Sequence, residues 1–256
     1  MVAAAVTKDI APRARASLLQ KPGPWVDLGL TLPIFVLYHL GVVQLDVRNG
    51  TDLVTGPLVR FASGNIFVYF GITLGIGVVF GLVFWLLGRK QGFSASKLLQ
   101  TAIEGVIYAI VMRVGAGYVV GRMFAGPRMP GHDPFKGLVM SLGAGFYEEL
   151  AFRVILFGLG AKLLVGLFAH QNMGIVAAGP QRLTLRSIAI VVAWSFVAAG
   201  LFSGVHYIGS LGDKFEPATF VFRLFLGLTL SLIYVTRGFA AAVWSHALYD
   251  VWVLVL

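Results

Sequence analysis

The sequence reads as an all-α, polytopic transmembrane helical bundle of about seven to eight spans. Hydrophobic residues fill 58% of its 256 positions and charged residues 12%, a balance outside the usual range of a soluble domain. The apolar residues are also gathered into runs near the ~20 residues that a helix needs to cross a ~30 Å hydrocarbon core.

The elements follow in order. Residues 1–27 carry Lys8, Arg13, Arg15 and Lys21 and have no apolar core before Leu28, the pattern of a short basic cytoplasmic tail rather than of a cleaved signal peptide. The transmembrane domain, 28–256, then presents apolar runs at 28–45, 66–88, 98–121, 137–169, 187–206, 219–235 and 239–256. The fourth run is too long for one straight, untilted span. It is expected either to tilt or to give way to an interfacial piece after Gly158 or Gly160, which leaves room for an eighth crossing. The third run contains Glu104 and Arg113, whose separation turns them about half a helical turn apart, so they should not pair with each other. The spacings Gly71-xxx-Gly75, Gly77-xxx-Gly81, Gly117-xxx-Gly121 and Gly200-xxx-Gly204 read as helix-packing sites. The longest loops, about 122–136 and 170–186, are rich in Gly, Pro and Arg, leave no room for a soluble domain, and no internal repeat is visible.

The net charge of +9 belongs mostly to tails and loops, where it reads as positive-inside anchoring and contact with the lipid bilayer. No basic motif with interleaved aromatics points to nucleic acid. With the N-terminus inside, Arg89, Lys90, Lys97, Arg182, Arg186 and Arg237 fall on the cytoplasmic side, and Arg48, Arg60, Arg122, Arg128, Lys136 and Lys214 on the other. Cysteine is absent, which excludes disulfides, a thiolate nucleophile and thiolate metal sites.

Against that apolar background, Glu148, Glu149 and Arg153 stand together within the fourth run, where each charge costs at least ~2.5–3.5 kcal/mol at mid-bilayer. Glu149 and Arg153 are i,i+4 with the acid first, the favourable order for an ion pair. Glu148 points about 100° away on an α-helix and is free for general-base work. His206 lies four residues after Phe202 at the end of the fifth run. His246 and Asp250 are i,i+4 on the last, where the acid can orient the imidazole. With alternating spans, Glu148, His206 and His246 can all lie in the outer half of the bilayer, around a water-reached cavity. His39 reads as a hydrogen-bonded core residue, and His132 and His170 as loop residues. Glu148, His206 and His246 would also suit a three-ligand zinc site, but the HExxH spacing is missing, so no metal or other cofactor is expected, with zinc as the alternative. A proton-coupled transporter and a non-catalytic scaffold or immunity protein are the rival classes. The first predicts discontinuous helices or a repeat.

Glu148-Glu149-Leu-Ala-Phe-Arg153, Phe202-Ser-Gly-Val-His206 and His246-Ala-Leu-Tyr-Asp250 resemble the EExxxR, FxxxH and HxxxN/D motifs of the CPBP (ABI) intramembrane endopeptidases, which include the type II CAAX prenyl endopeptidases. The motifs occur in the family's order and make 136–256 the CPBP-like catalytic core. The resemblance implies an intramembrane protease, a hydrolase in which Glu148 and His206 activate a water. It also implies that His246 and the residue at 250 stabilise the oxyanion, and that Glu149 with Arg153 orders the site. An ionised Asp accepts hydrogen bonds only, so Asp250 either stays protonated or acts through His246. The implied partner is a membrane-anchored or lipidated protein substrate. The implied place is a bacterial inner (plasma) membrane with the N-terminus cytoplasmic.

Overall fold

The computed structural model describes residues 21–123, 133–171, 183–209 and 212–255. Lys8, Arg13, Arg15, Arg128, His132 and Arg182 lie outside the described residues.

Helix α1, Pro24–Val42, opens on a proline at its first position, where the missing N–H has no partner to lose. The short helix α2, Thr55–Phe61, lies in the connection that leads to α3, Ile66–Gly88, whose first amides are capped by the Asn65 side chain. Then come α4, Ala95–Met123, and α5, Pro134–Gly143, capped by Asp133. From α5 the chain winds on as π-helix through Ala144–Glu148 and Leu150–Leu159 and returns to α geometry in α6, Gly160–Ala169. Helices α7, Leu185–Val205, α8, Pro217–Arg237, and α9, Phe239–Leu254, complete the all-α bundle.

Six of these helices are long and apolar enough to cross a membrane, and they coincide with the first six apolar runs. The fourth is one continuous helix of 36 residues. It passes Gly158 and Gly160 unbroken, so no second crossing begins at either glycine. The last run forms a helix of only 16 residues, about 24 Å at ~1.5 Å per residue, short of a full hydrocarbon core.

Shortness goes with position. Nearly every residue from Phe239 to Ala247 is buried, because α9 is the central helix and touches α1, α4, α5 and α8. Its apolar side chains Ala241 and Ala242 pack with Met112 of α4 and Leu230 of α8. Close approach to the fourth span depends on Gly145, where a Cβ would stand 2.6 Å from Ala247 Cβ and 2.8 Å from the Val243 carbonyl oxygen. By contrast, α3 buries only Tyr69, Thr73 and Gly88 and turns most of its surface outward.

Two polar clips tie the N-terminal side of the bundle. The Asp27 carboxylate of α1 accepts hydrogen bonds from the amides of Phe239, at 2.7 Å, and Ala240, at 2.8 Å, and so caps the start of α9 with a charge suited to the helix dipole. Arg237 at the end of α8 donates to Glu104 of α4 through Nε at 2.9 Å and Nη2 at 2.6 Å. Arg237, counted above with the loop cations, is thus half of an interhelical ion pair, and Glu104 serves packing rather than the site. Arg113 stacks over Trp252 instead of meeting Glu104.

Of the four glycine spacings, only Gly77-xxx-Gly81 packs a helix, with Val36 and Leu32 of α1 next to it. Cβ atoms at Gly71, Gly75, Gly117, Gly121, Gly200 and Gly204 would meet nothing within 4 Å among the described residues. These glycines sit on open helix faces, which spacing alone cannot distinguish from packed ones.

Candidate active site

The polar groups of the fourth, fifth and last helices meet on the side of the bundle away from the Asp27 and Glu104 clips. Glu148 and Glu149 sit in the π-wound stretch, where each turn holds more residues than in an α-helix and neighbours diverge by less. Both carboxylates can therefore face inward, each with its own partners.

Glu149 is completely buried, and Arg153 is 1% exposed. Arg153 Nε lies 3.1 Å from Glu149 Oε2, an ion pair whose angle is too poor for an aligned hydrogen bond. Neither Nη atom of Arg153 has a hydrogen-bond partner among the described residues. The guanidinium instead lies over the Phe202 ring, 4.2 Å from its centroid, a cation–π contact that is strongest where water is excluded.

The other Glu149 oxygen, Oε1, accepts from His246 Nδ1 at 2.7 Å. On the far side of the ring, His246 Nε2 is 3.5 Å from Asp250 Oδ2, beyond good hydrogen-bond range. The acid that orients His246 is therefore Glu149, not its i,i+4 neighbour Asp250 as the spacing suggested. Helical spacing identifies neighbours within one helix and is silent about a closer carboxylate on another.

His206, just beyond the end of α7, donates Nδ1–H to the Phe202 carbonyl at 2.8 Å. In the neutral ring Nε2 then carries the lone pair, and it faces Glu148 Oε2 at 3.9 Å. That separation is too long for a direct hydrogen bond and suits one bridging water. Phe202 organises the group, with ring centroids 5.2 Å from His206, 5.9 Å from His246 and 5.3 Å from Phe152. The site opens on one side, since the side chains of His206 and Glu148 are 28% and 14% exposed while Glu149 and Arg153 are sealed.

All six residues singled out from sequence thus fall into one connected cluster. One neighbour was missed. Asn49, in the connection after α1, donates Nδ2–H to Glu148 Oε1 at 2.7 Å. The available signal was weak: an Asn-Gly turn in a polar connection that exits on the same side of the bundle as His206.

Beside the cluster, His39 is buried, with Nε2 2.6 Å from the Tyr147 hydroxyl and Nδ1 2.9 Å from that of Tyr69. It is the hydrogen-bonded core residue expected, and it ties α1 to the residue before Glu148. His170 ends α6 in a left-handed conformation, φ 51°. Among the described residues no three His, Cys, Asp or Glu side chains converge as metal ligands, and both nitrogens of His246 face carboxylates.

Comparison with the curated proteins and with the solved structures gave no match. Residues 130–252 match the family model described as "Type II CAAX prenyl endopeptidase Rce1-like". That segment contains all six clustered residues and the three motifs in order, and across it the chain carries an Rce1-like domain of the type II CAAX prenyl endopeptidase (CPBP) family.

Proposed function

We propose that this protein is an intramembrane endopeptidase that hydrolyses a peptide bond near the C-terminal end of a membrane-associated or lipidated protein. The observation that carries the reading is the pair Glu148 Oε2 and His206 Nε2, two acceptor atoms facing each other at 3.9 Å, the carboxylate oxygen buried and without a hydrogen-bond partner among the described residues. A water held between them loses a proton to Glu148 as its oxygen attacks the scissile carbonyl carbon. Glu148 then passes that proton to the departing amine as the C–N bond breaks.

His246 is suited to the developing oxyanion. Its Nδ1–H is committed to Glu149, so Nε2 has a proton to donate when the ring is doubly protonated. Asp250 acts through His246 rather than on the oxyanion itself. Glu149 and Arg153 hold the ring in place. No metal takes part in this scheme: His246 Nδ1 is held by Glu149 and Glu148 Oε1 by Asn49, and the water is activated by Glu148 and His206 alone.

The buried α9 is read as a seventh, short crossing. With the N-terminal tail in the cytoplasm, the site then lies toward the non-cytoplasmic half of a bacterial inner membrane. That placement fits a C-terminal sorting tail better than a cytoplasmic prenylated protein.

The test is reconstitution in liposomes with a panel of C-terminally anchored peptides, some prenylated. Wild type should cleave at least one of them. Glu148→Gln should lose ~10²–10⁴-fold or more of the rate, the usual contribution of a general base. Full turnover by Glu148→Gln would overturn the reading.

A further inference from the structure

The segment that precedes the family domain contributes a side chain to the cluster. We propose that Asn49 is a positioning residue of the active site, one that occupies Oε1 of Glu148 so that Oε2 alone receives the proton of the attacking water. The proposal rests on the reading of Glu148 as the base.

The connection after α1 is built to present one donor. Asn49 is 6% exposed, and its Oδ1 accepts two hydrogen bonds from Thr51, from the amide at 2.9 Å and from the hydroxyl at 2.6 Å. This Asx turn settles which way the amide faces. With Oδ1 taken by two donors, Nδ2 is the end that meets Glu148, at 2.7 Å.

The turn is itself fixed to the bundle. The Asn49 backbone N–H donates to the Tyr38 hydroxyl at 3.3 Å, and that hydroxyl donates to Asp52 Oδ2 at 2.8 Å. Asp52 Oδ1 accepts from the amides of Val54 and Thr55, both at 2.9 Å. Burial alone would raise the Asp52 carboxyl, but the hydrogen bonds from Thr55, Tyr38 and Val54 outweigh it and hold the group below its ordinary value. Asp52 is therefore a carboxylate at neutral pH and a strong acceptor for Tyr38. The side chains of Tyr38 and Asp52 are buried, so this anchor is not in competition with water.

The consequence for the base is an asymmetry between its two oxygens. Oε1 is held by a charge-assisted hydrogen bond. Oε2 is buried, has no hydrogen-bond partner among the described residues, and looks at His206. A carboxylate free to rotate would present either oxygen in varying directions. With Oε1 pinned, Oε2 is aimed at one place, which is what a general base needs before geometry can help the reaction.

Asn49→Asp and Asn49→Ala, measured together, test this. Asn49→Asp keeps the acceptor that holds Thr51 but has no N–H for Glu148. It also sets a carboxyl against Glu148, which Asn49→Ala does not, so the alanine variant reads the loss of the donor alone. On the proposal both variants lower kcat by ~10–100-fold, the scale of a hydrogen bond to a charged group, with KM within about threefold. Asn49→Asp at wild-type kcat would overturn the proposal.

A second readout does not depend on cleavage. The glutamates of the chain are Glu104, Glu148, Glu149 and Glu216, so the carboxylate stretches of 13C-glutamate-labelled protein are few, and the band lost in Glu148→Gln is that of Glu148. That band should move in Asn49→Ala. An unmoved band would also overturn the proposal. Wild-type protein inert on the whole peptide panel would refute the peptidase reading, while the infrared pair would still decide the contact.

Discussion

Replacing Glu149 by glutamine is the sharpest test of how the cluster is held together. The two Glu149 oxygens have different obligations, Oε1 to His246 Nδ1–H at 2.7 Å and Oε2 to Arg153 Nε at 3.1 Å. Glutamine keeps the shape but has one oxygen and one NH2 group. If the oxygen stays with His246, the NH2 group meets the guanidinium; if it turns toward Arg153, the NH2 group meets the His246 N–H. With His246 protonated at Nδ1 a donor faces a donor either way, and in every tautomer Arg153, 1% exposed, loses its adjacent anion. Removing one partner of a buried ion pair costs ~3–5 kcal/mol, or a folding equilibrium weakened by at least about a hundredfold. Equilibrium unfolding in mixed micelles or bicelles reads this directly. Adding Arg153→Met should then restore stability, because the charge is gone and the substituted side chain can turn its amide oxygen to His246; replacement of a whole buried pair is often near neutral. Glu149→Gln within ~0.5 kcal/mol of wild type, the scale of an inconsequential surface change, would refute the reasoning. So would a double variant less stable than the single.

Two further outcomes follow from the site and its placement. Activity should survive dialysis against a strong chelator, and the purified protein should contain no stoichiometric zinc by elemental analysis; chelator-sensitive cleavage restored by added zinc would make Glu148, His206 and His246 candidate ligands again. Because the chain has no cysteine, Lys214→Cys and Ser94→Cys report orientation without background, both positions being exposed. An impermeant thiol reagent on intact cells should label the first, in the connection after His206, and not the second; Ser210, in the same connection, lies outside the described residues. The reverse pattern would put the site on the cytoplasmic side and favour a prenylated substrate.

Much of the architecture was legible because a bilayer imposes it. A run of apolar residues in lipid must be helical to satisfy its own backbone, so the first six runs became helices where hydropathy placed them. Hydropathy does not report the winding of a helix, and the π-wound stretch from Ala144 to Leu159 left no trace in the apolar pattern. The angle of about 100° between Glu148 and Glu149 was therefore an α-helical assumption, and the two acids share the interior more closely than it implied. Nor does hydropathy rank helices by depth within the bundle. The same apolar composition that would face lipid in α3 is buried among other helices in α9, and only contacts separate the two cases.

For the site, the legible part was the part written as spacing. Phe202 with His206, and Glu149 with Arg153, are one helical turn apart and meet as expected. The pairings that set the chemistry cross between helices: His246 with Glu149, Glu148 with His206 and Glu148 with Asn49. In lipid a buried ionisable group must find a partner somewhere, which is why the six could be grouped from sequence at all. Which partner each one finds depends on which connections return to the same face. Asn49 illustrates the limit. It lies in a polar connection, where an asparagine costs nothing and signals nothing. Only the fold shows that the turn, tied by the Asn49 backbone N–H to the buried Tyr38 hydroxyl, delivers the side-chain amide to the Glu148 carboxylate.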